Sequence, residues 1–232
     1  MKKLLIIMGT VLLVLGFTYA ASAWIYVPDQ GDTGWKSYTY TTPGGFTGTA
    51  GFVVSNVVDN YSYSELLLDN LSQGGTVNPG FESGLSGYEV LPNSSFADVY
   101  PSRTSALGIV YYPTQGDFLA DLMGLSTGVN TSGFHNATGQ AGTVGSILET
   151  AITLTPGTTF TFDWAFLGND FSPWNDFALF YLKDANGAIV FSEGLSQIGS
   201  APTVPLPSTL LLLGSGLFGL LGLGRRGKRR VG

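Results

Sequence analysis

The chain has no cysteine, one histidine and, away from its two ends, only three basic residues. Each shortage excludes something. Without cysteine there is no disulfide framework, no thiolate nucleophile and no thiolate-held zinc or iron–sulfur cluster. A lone His135 cannot build a multi-histidine metal centre. Between Trp24 and Val204, Lys36, Arg103 and Lys183 stand against all sixteen acids, a formal charge of −13 that the whole-chain value of −6 conceals. So acidic a body repels nucleic-acid phosphates and anionic lipid head groups, and no nucleic-acid partner is expected. Helical periodicity is scarce as well. Only Asp117–Leu125, "DFLADLMGL", predicts a short helix.

The two ends read as addresses and stand apart from the fold. Met1-Lys2-Lys3 is a basic start, Leu4–Leu15 an apolar run, and Ala21-Ser22-Ala23 a small-residue cleavage pattern. Residues 1–23 are therefore expected to be a signal peptide, cut by signal peptidase so that the mature chain begins at Trp24. At the other end, Val204-Pro205-Leu206-Pro207 precedes an uncharged stretch, Thr209–Leu223, and then five basic residues from Arg225 and Arg226 to Arg230. Fifteen residues of helix span about 22 Å, short of a hydrocarbon core of about 30 Å. Flanking arginines and local thinning compensate, and the basic cluster stays on the cytoplasmic side, leaving the body outside. Gly214, Gly216, Gly219, Gly222 and Gly224 weaken a lone helix but permit close helix approach.

This tripartite tail, residues 204–232, resembles the PEP-CTERM sorting signal of bacterial surface proteins, with Leu206 where that family usually has glutamate. The resemblance implies a single hydrophobic helix over 209–223, a membrane-anchored precursor, and processing by an exosortase-type protease near Val204–Pro207. The plainer alternative is a permanent C-terminal anchor.

The body, residues 24–203, reads as all-β, a β-sandwich or jelly roll. Gly and Pro punctuate it about every ten residues. Strands are predicted over Gly51–Val58, Glu65–Leu71, Ser146–Thr155, Thr158–Phe166, Phe177–Leu182 and Ala188–Ser192. Phe160, Phe162, Trp164 and Phe166 alternate with Thr159, Thr161, Asp163 and Ala165, predicting one buried aromatic face and one hydrated face. Phe177–Leu182 is apolar on both faces, as in a central strand. Gly124–Gly145 reads as a long loop.

Two stretches of the body also resemble carbohydrate-binding-module-like jelly rolls. "NPGFESGLSGYEV", Asn78–Val90, is similar to their opening motif, with Tyr88 in the place of a tryptophan; "LLLDNLS", Leu66–Ser72, resembles their closing strand. The resemblance implies a structural calcium held by Asp69 and Glu82; otherwise these acids cap turns. "GNDFSPWND" sets Asp170, Asn175 and Asp176 beside Trp174, a mixture of carboxylates, carboxamide and aromatic face that suits a pyranose and equally suits a long loop. No serine sits in a nucleophile elbow and no local carboxylate pair stands out, so an enzyme is not expected. The sequons at Asn60, Asn70, Asn93, Asn130 and Asn136 fit chance in a Ser/Thr-rich chain. The sequence predicts an exported, non-catalytic component of the cell surface or exopolysaccharide matrix. A carbohydrate-binding module with a defined glycan is the alternative, and a glycoside or ester hydrolase the third class.

Overall fold

A computed structural model describes residues 24–59, 62–72, 78–91, 96–125 and 128–201. The signal-peptide residues Ala21 and Ala23, the tail from Val204 through Arg225 and Arg226, and the helix expected over 209–223 lie outside the described residues. All regular structure among the described residues is strand: β1 (Ile25–Val27), β2 (Lys36–Thr41), β3 (Phe46–Ser55), β4 (Glu65–Ser72), β5 (Glu89–Val90), β6 (Phe96–Tyr100), β7 (Arg103–Thr104), β8 (Val110–Tyr111), β9 (Leu119–Met123), β10 (Val129–Asn130), β11 (Val144–Leu154), β12 (Thr159–Leu167), β13 (Phe177–Asp184) and β14 (Ile189–Ile198).

These strands form two main sheets packed as a sandwich. The first runs β1-β14-β13-β3-β11-β10, with β5 also on β11; the second runs β2-β12-β4-β9-β6; β7 and β8 make a separate hairpin. Alternation explains the packing. Phe160, Phe162, Trp164 and Phe166 of β12 point into the inter-sheet core with Phe52 and Val54 of β3, Leu66 and Leu68 of β4, and Phe180 and Leu182 of β13. Phe162 meets Phe52 edge-on at 4.9 Å and Phe180 at 5.1 Å between ring centroids, geometries that aromatic quadrupoles favour. β13 lies between β14 and β3, the central place its two apolar faces predict.

The structure corrects several expectations. "DFLADLMGL" is not a helix but contains β9, paired with β4 and β6. Ala120 and Leu122 enter the main core, while Leu119 lies under the β7–β8 hairpin with Leu67 and Tyr111. A strand covered on both faces loses its period-two signature, and the leftover apolar spacing mimics a helix. The same hairpin buries Ala165, so the second face of β12 is hydrated only in part. Gly124–Gly145 is not a free loop. Val129 and Asn130 pair with β11, His135 bridges Ala141, and Val129 and Phe134 cover Val53, Leu179 and Tyr181 on the outer face of the first sheet. β14 runs six residues past Ser192 to Ile198. Its pairing with β13 skips Val190 and Leu195, one bulge near each end. β1 pairs with Ser196–Ile198, and among the described residues no strand pairs Ile189–Phe191 on the side away from β13.

Candidate functional site

The outer face of the first sheet is covered at one end by Trp24, Leu91, Val129 and Phe134 and left open at the other. The border between the halves is one cross-strand row: Glu149 of β11, Gly51 of β3 and Tyr181 of β13. Gly51 is required there, because a Cβ would collide with the Tyr181 ring. The missing side chain lets the ring lie across β3, so that its hydroxyl donates to Glu149 Oε1. Lys183 Nζ donates to the same oxygen and stands 5.3 Å from the Tyr181 ring centre. Burial pushes the Tyr181 hydroxyl well above its ordinary pKa, and its bond to Glu149 adds to the rise. Glu149 is 7 % exposed, so its charge is tolerated because Lys183 and Tyr181 satisfy it.

Beyond this row the outward side chains become small: Thr47 and Thr49 on β3, Ala151 and Thr153 on β11. With Gly48, Lys183 and the Asp184–Gly187 turn they line an open cavity of about 620 Å³. A second cavity of about 330 Å³, lined by Gly87, Tyr88, Glu89 and Thr150, shares Thr49, Glu149 and Ala151 with the first. The two form one trough across β13, β3, β11 and β5. Asp184 shapes one wall by accepting from Asn186 N and Ala188 N, each at 2.9 Å, with Gly187 at φ +81°.

The residues singled out from sequence lie elsewhere. Asp69 and Glu82 converge on one segment, residues 114–118. Asp69 Oδ2 accepts from Thr114 N at 2.6 Å, Thr114 Oγ1 at 3.0 Å and Gln115 N at 2.8 Å; its Oδ1 accepts from Asn70 N at 2.7 Å. Glu82 Oε1 accepts from Asp117 N at 2.8 Å and Phe118 N at 3.2 Å. Burial raises the Asp69 pKa against these bonds. Directly opposite Asp69 on β12, Asp163 also feels burial, but hydrogen bonds from Ser37, Thr114 and Asn70 outweigh it and lower its pKa. These N–H and O–H donors compete with a cation for the carboxylate lone pairs. As placed, the two acids clamp the 114–118 segment, and no cluster of three or more His, Asp or Glu among the described residues is placed to hold a metal ion.

The "GNDFSPWND" loop, between β12 and β13, is at the opposite end of the sandwich from the trough. Asp176 is fully buried and accepts from Val57 N at 3.1 Å and Ser64 Oγ at 2.9 Å. Burial raises its pKa well above the ordinary carboxylate value. Asp170, 3 % exposed, accepts from Phe171 N, and Asn175 Nδ2 donates to Gln140 Oε1. Asp176 and Asp170 are thus interior struts, out of reach of a sugar. Trp174 is half-buried, and Phe171 is the exposed aromatic of the loop. His135 is exposed in the covering segment. Asn136 has both amide functions engaged and is 5 % exposed, which closes that sequon.

The second acidic centre is on the outer face of the other sheet. Arg103, from the β7–β8 hairpin, places Nη2 2.8 Å from Glu65 Oε1 and Nε 2.6 Å from Asp121 Oδ2. The Nε hydrogen is directed at Glu65 Oε2, 3.2 Å away, so Asp121 is held by charge rather than by a hydrogen bond. Burial raises both acids, Asp121 far above the ordinary range, and the neighbouring Glu65 adds to its rise.

Sequence reasoning missed Glu149, Lys183, Tyr181 and the threonines of the trough. One signal was there. Lys183 is one of three bases in the body, and a glycine inside an apolar strand, Gly51, marks a close approach.

By its described residues the body is an all-β sandwich with an open trough on one outer face. The PEP-CTERM protein-sorting motif matches residues 203–230. That motif implies an exosortase-sorted protein, exported as a membrane-anchored precursor and then placed at the surface. No curated protein and no solved structure matches the chain.

Proposed function

We propose that the protein is a non-catalytic component of the cell surface or the exopolysaccharide matrix, delivered by its sorting signal and acting through its sandwich body. The observation that carries this reading is the sorting motif at 203–230. The body supports it, because its close acid groups do structural work. Glu65 and Asp121 are bridged by Arg103, Asp69 and Asp163 share Thr114, and Asp176 ties two strand-end loops. The N-terminal signal peptide, the single C-terminal helix and the jelly-roll class of the sandwich belong to the same proposal.

The reading is tested by mass spectrometry of protein recovered outside the cell. The expected chain starts at Trp24 and yields no peptide from Leu210–Gly232, whereas cells lacking the sorting protease retain the tail in the membrane. Surface protein that still carries the arginine cluster in normal cells would reduce the signal to a plain anchor. A carbohydrate-binding role is the second reading, favoured by the trough.

A further inference from the structure

We infer that the trough over β13, β3, β11 and β5 is a binding site for a neutral polysaccharide; this deepens, and rests on, the matrix reading above. At about 4.8 Å between strands, the three spacings from β13 to β5 make it about 14 Å long, the span of a short run of sugars rather than of one. The larger cavity, about 620 Å³, falls within the range of ligand sites.

The lining argues for the ligand class. Some threonine hydroxyls in the body are used internally: Thr33, Thr114, Thr131, Thr138 and Thr150 all bond to neighbouring groups. The hydroxyls of Thr47, Thr49 and Thr153 make no such bond to another described residue. They stand on outward positions of adjacent strands, with Ala151 and Gly48 leaving room between them. Free hydroxyls at strand spacing, each able to donate and accept, complement a polyhydroxylated chain. A peptide strand would need unpaired backbone groups, and the backbone of β3 is fully committed to β11 and β13.

Charge decides between neutral and anionic polymers. Lys183 is spent on Glu149, and the walls add Glu89 and Asp184. The site is therefore net negative, on a body of formal charge −13. Polyuronates are repelled, and a neutral glycan pays no such penalty. Glu149 accepts from Tyr181 and Lys183, and with Lys183 it gives the floor a fixed polar surface.

The test is affinity electrophoresis of the exported protein through gels containing hydroxyethylcellulose, galactomannan or dextran, with alginate as the anionic comparison. Retardation by at least one neutral polymer and none by alginate is expected. The double variant Thr49→Val/Thr153→Val keeps side-chain shape and strand preference and should weaken retention at least tenfold with an unchanged melting temperature. Ala151→Trp, which fills the trough at its centre, should abolish it. If the tryptophan variant does not fold, the valine pair carries the test. Retention by no neutral polymer, or by alginate alone, overturns the inference, while the tail-processing experiment still judges the matrix reading separately. Neutral-glycan retention that survives the valine pair, or that Trp174→Ala removes instead, moves the site away from the trough.

Discussion

Replacing Arg103 by methionine tests how the β7–β8 hairpin is held to its sheet. Methionine keeps the length and much of the apolar stem but removes the one cation between Glu65, 5 % exposed, and Asp121, fully buried. Breaking a buried ion pair from one side costs about 3–5 kcal/mol, because the remaining charge has neither water nor a partner. In a body of this size 1 kcal/mol corresponds to about 2–4 °C, so the melting temperature at pH 7 should fall by roughly 6–20 °C. The loss should shrink at pH 5. Burial already raises both carboxyls, and without the guanidinium they take up protons more readily still. Asp121→Asn should behave quite differently. It removes the charge that is hardest to keep, makes no demand on the Arg103–Glu65 bonds, and should cost less than about 1 kcal/mol. Urea unfolding at pH 7 and pH 5 measures all of this. An Arg103→Met protein within 1 kcal/mol of the parent at pH 7, or one equally damaged at both pH values, would refute the reasoning.

Three further outcomes follow from the same structure. Phe162→Ala should cost about 3–5 kcal/mol by denaturant midpoint, since its ring is 1 % exposed and packed on Phe52 and Phe180; a near-neutral result would contradict that burial. Stability should fall as pH rises above the ordinary carboxylate range. Asp69, Glu65, Asp121, Asp170 and Asp176 are all raised by burial, so the folded chain holds protons that the unfolded chain has lost above about 4, and their contribution disappears as pH climbs through the raised values. Asp163 and Asp184 are lowered and oppose this only below about 4, so a stability that is flat or rising as pH climbs above about 5 would count against the placement of the buried acids. Asp69→Asn turns part of an acceptor into a donor facing Thr114 N and Gln115 N and should cost about 1–3 kcal/mol, equally in calcium and in chelator; a calcium-dependent melting temperature that this variant and Glu82→Gln abolish would instead reveal the cation that the jelly-roll resemblance implies.

The strands most legible in the sequence were those with one covered face. β12 announces itself because Phe160, Phe162, Trp164 and Phe166 alternate with polar or small residues. β9 did not, because the hairpin from Arg103 to Tyr111 covers its second face, and no local pattern foretells a cover supplied from elsewhere. The covering segment over Tyr181 hid for a related reason. Its composition of Gly, Ser and Thr is that of a loop, and only Val129 and Phe134 show that it lies on a sheet. The acids show the same limit. Asp69 and Glu82 were visible as a pair of interest, and they do meet the same five-residue segment, but their partners are backbone N–H groups, which every residue carries and no sequence advertises. The trough depends on which residues are small on adjacent strands, and that requires the register between β3, β11 and β13.

The two bulges in β14 bear on how such a protein behaves when it is crowded. Among the described residues no strand pairs Ile189–Phe191 on the side away from β13, beside the exposed Ile189 and Val190, the kind of border along which secreted β proteins can zip into fibres. Val190 and Leu195 each interrupt the ladder with an unpaired residue and twist the border out of line. A neighbouring molecule thus finds no straight template there. Where many copies stand close together, this favours contacts through side chains, which can be made and undone, over a cross-β ladder.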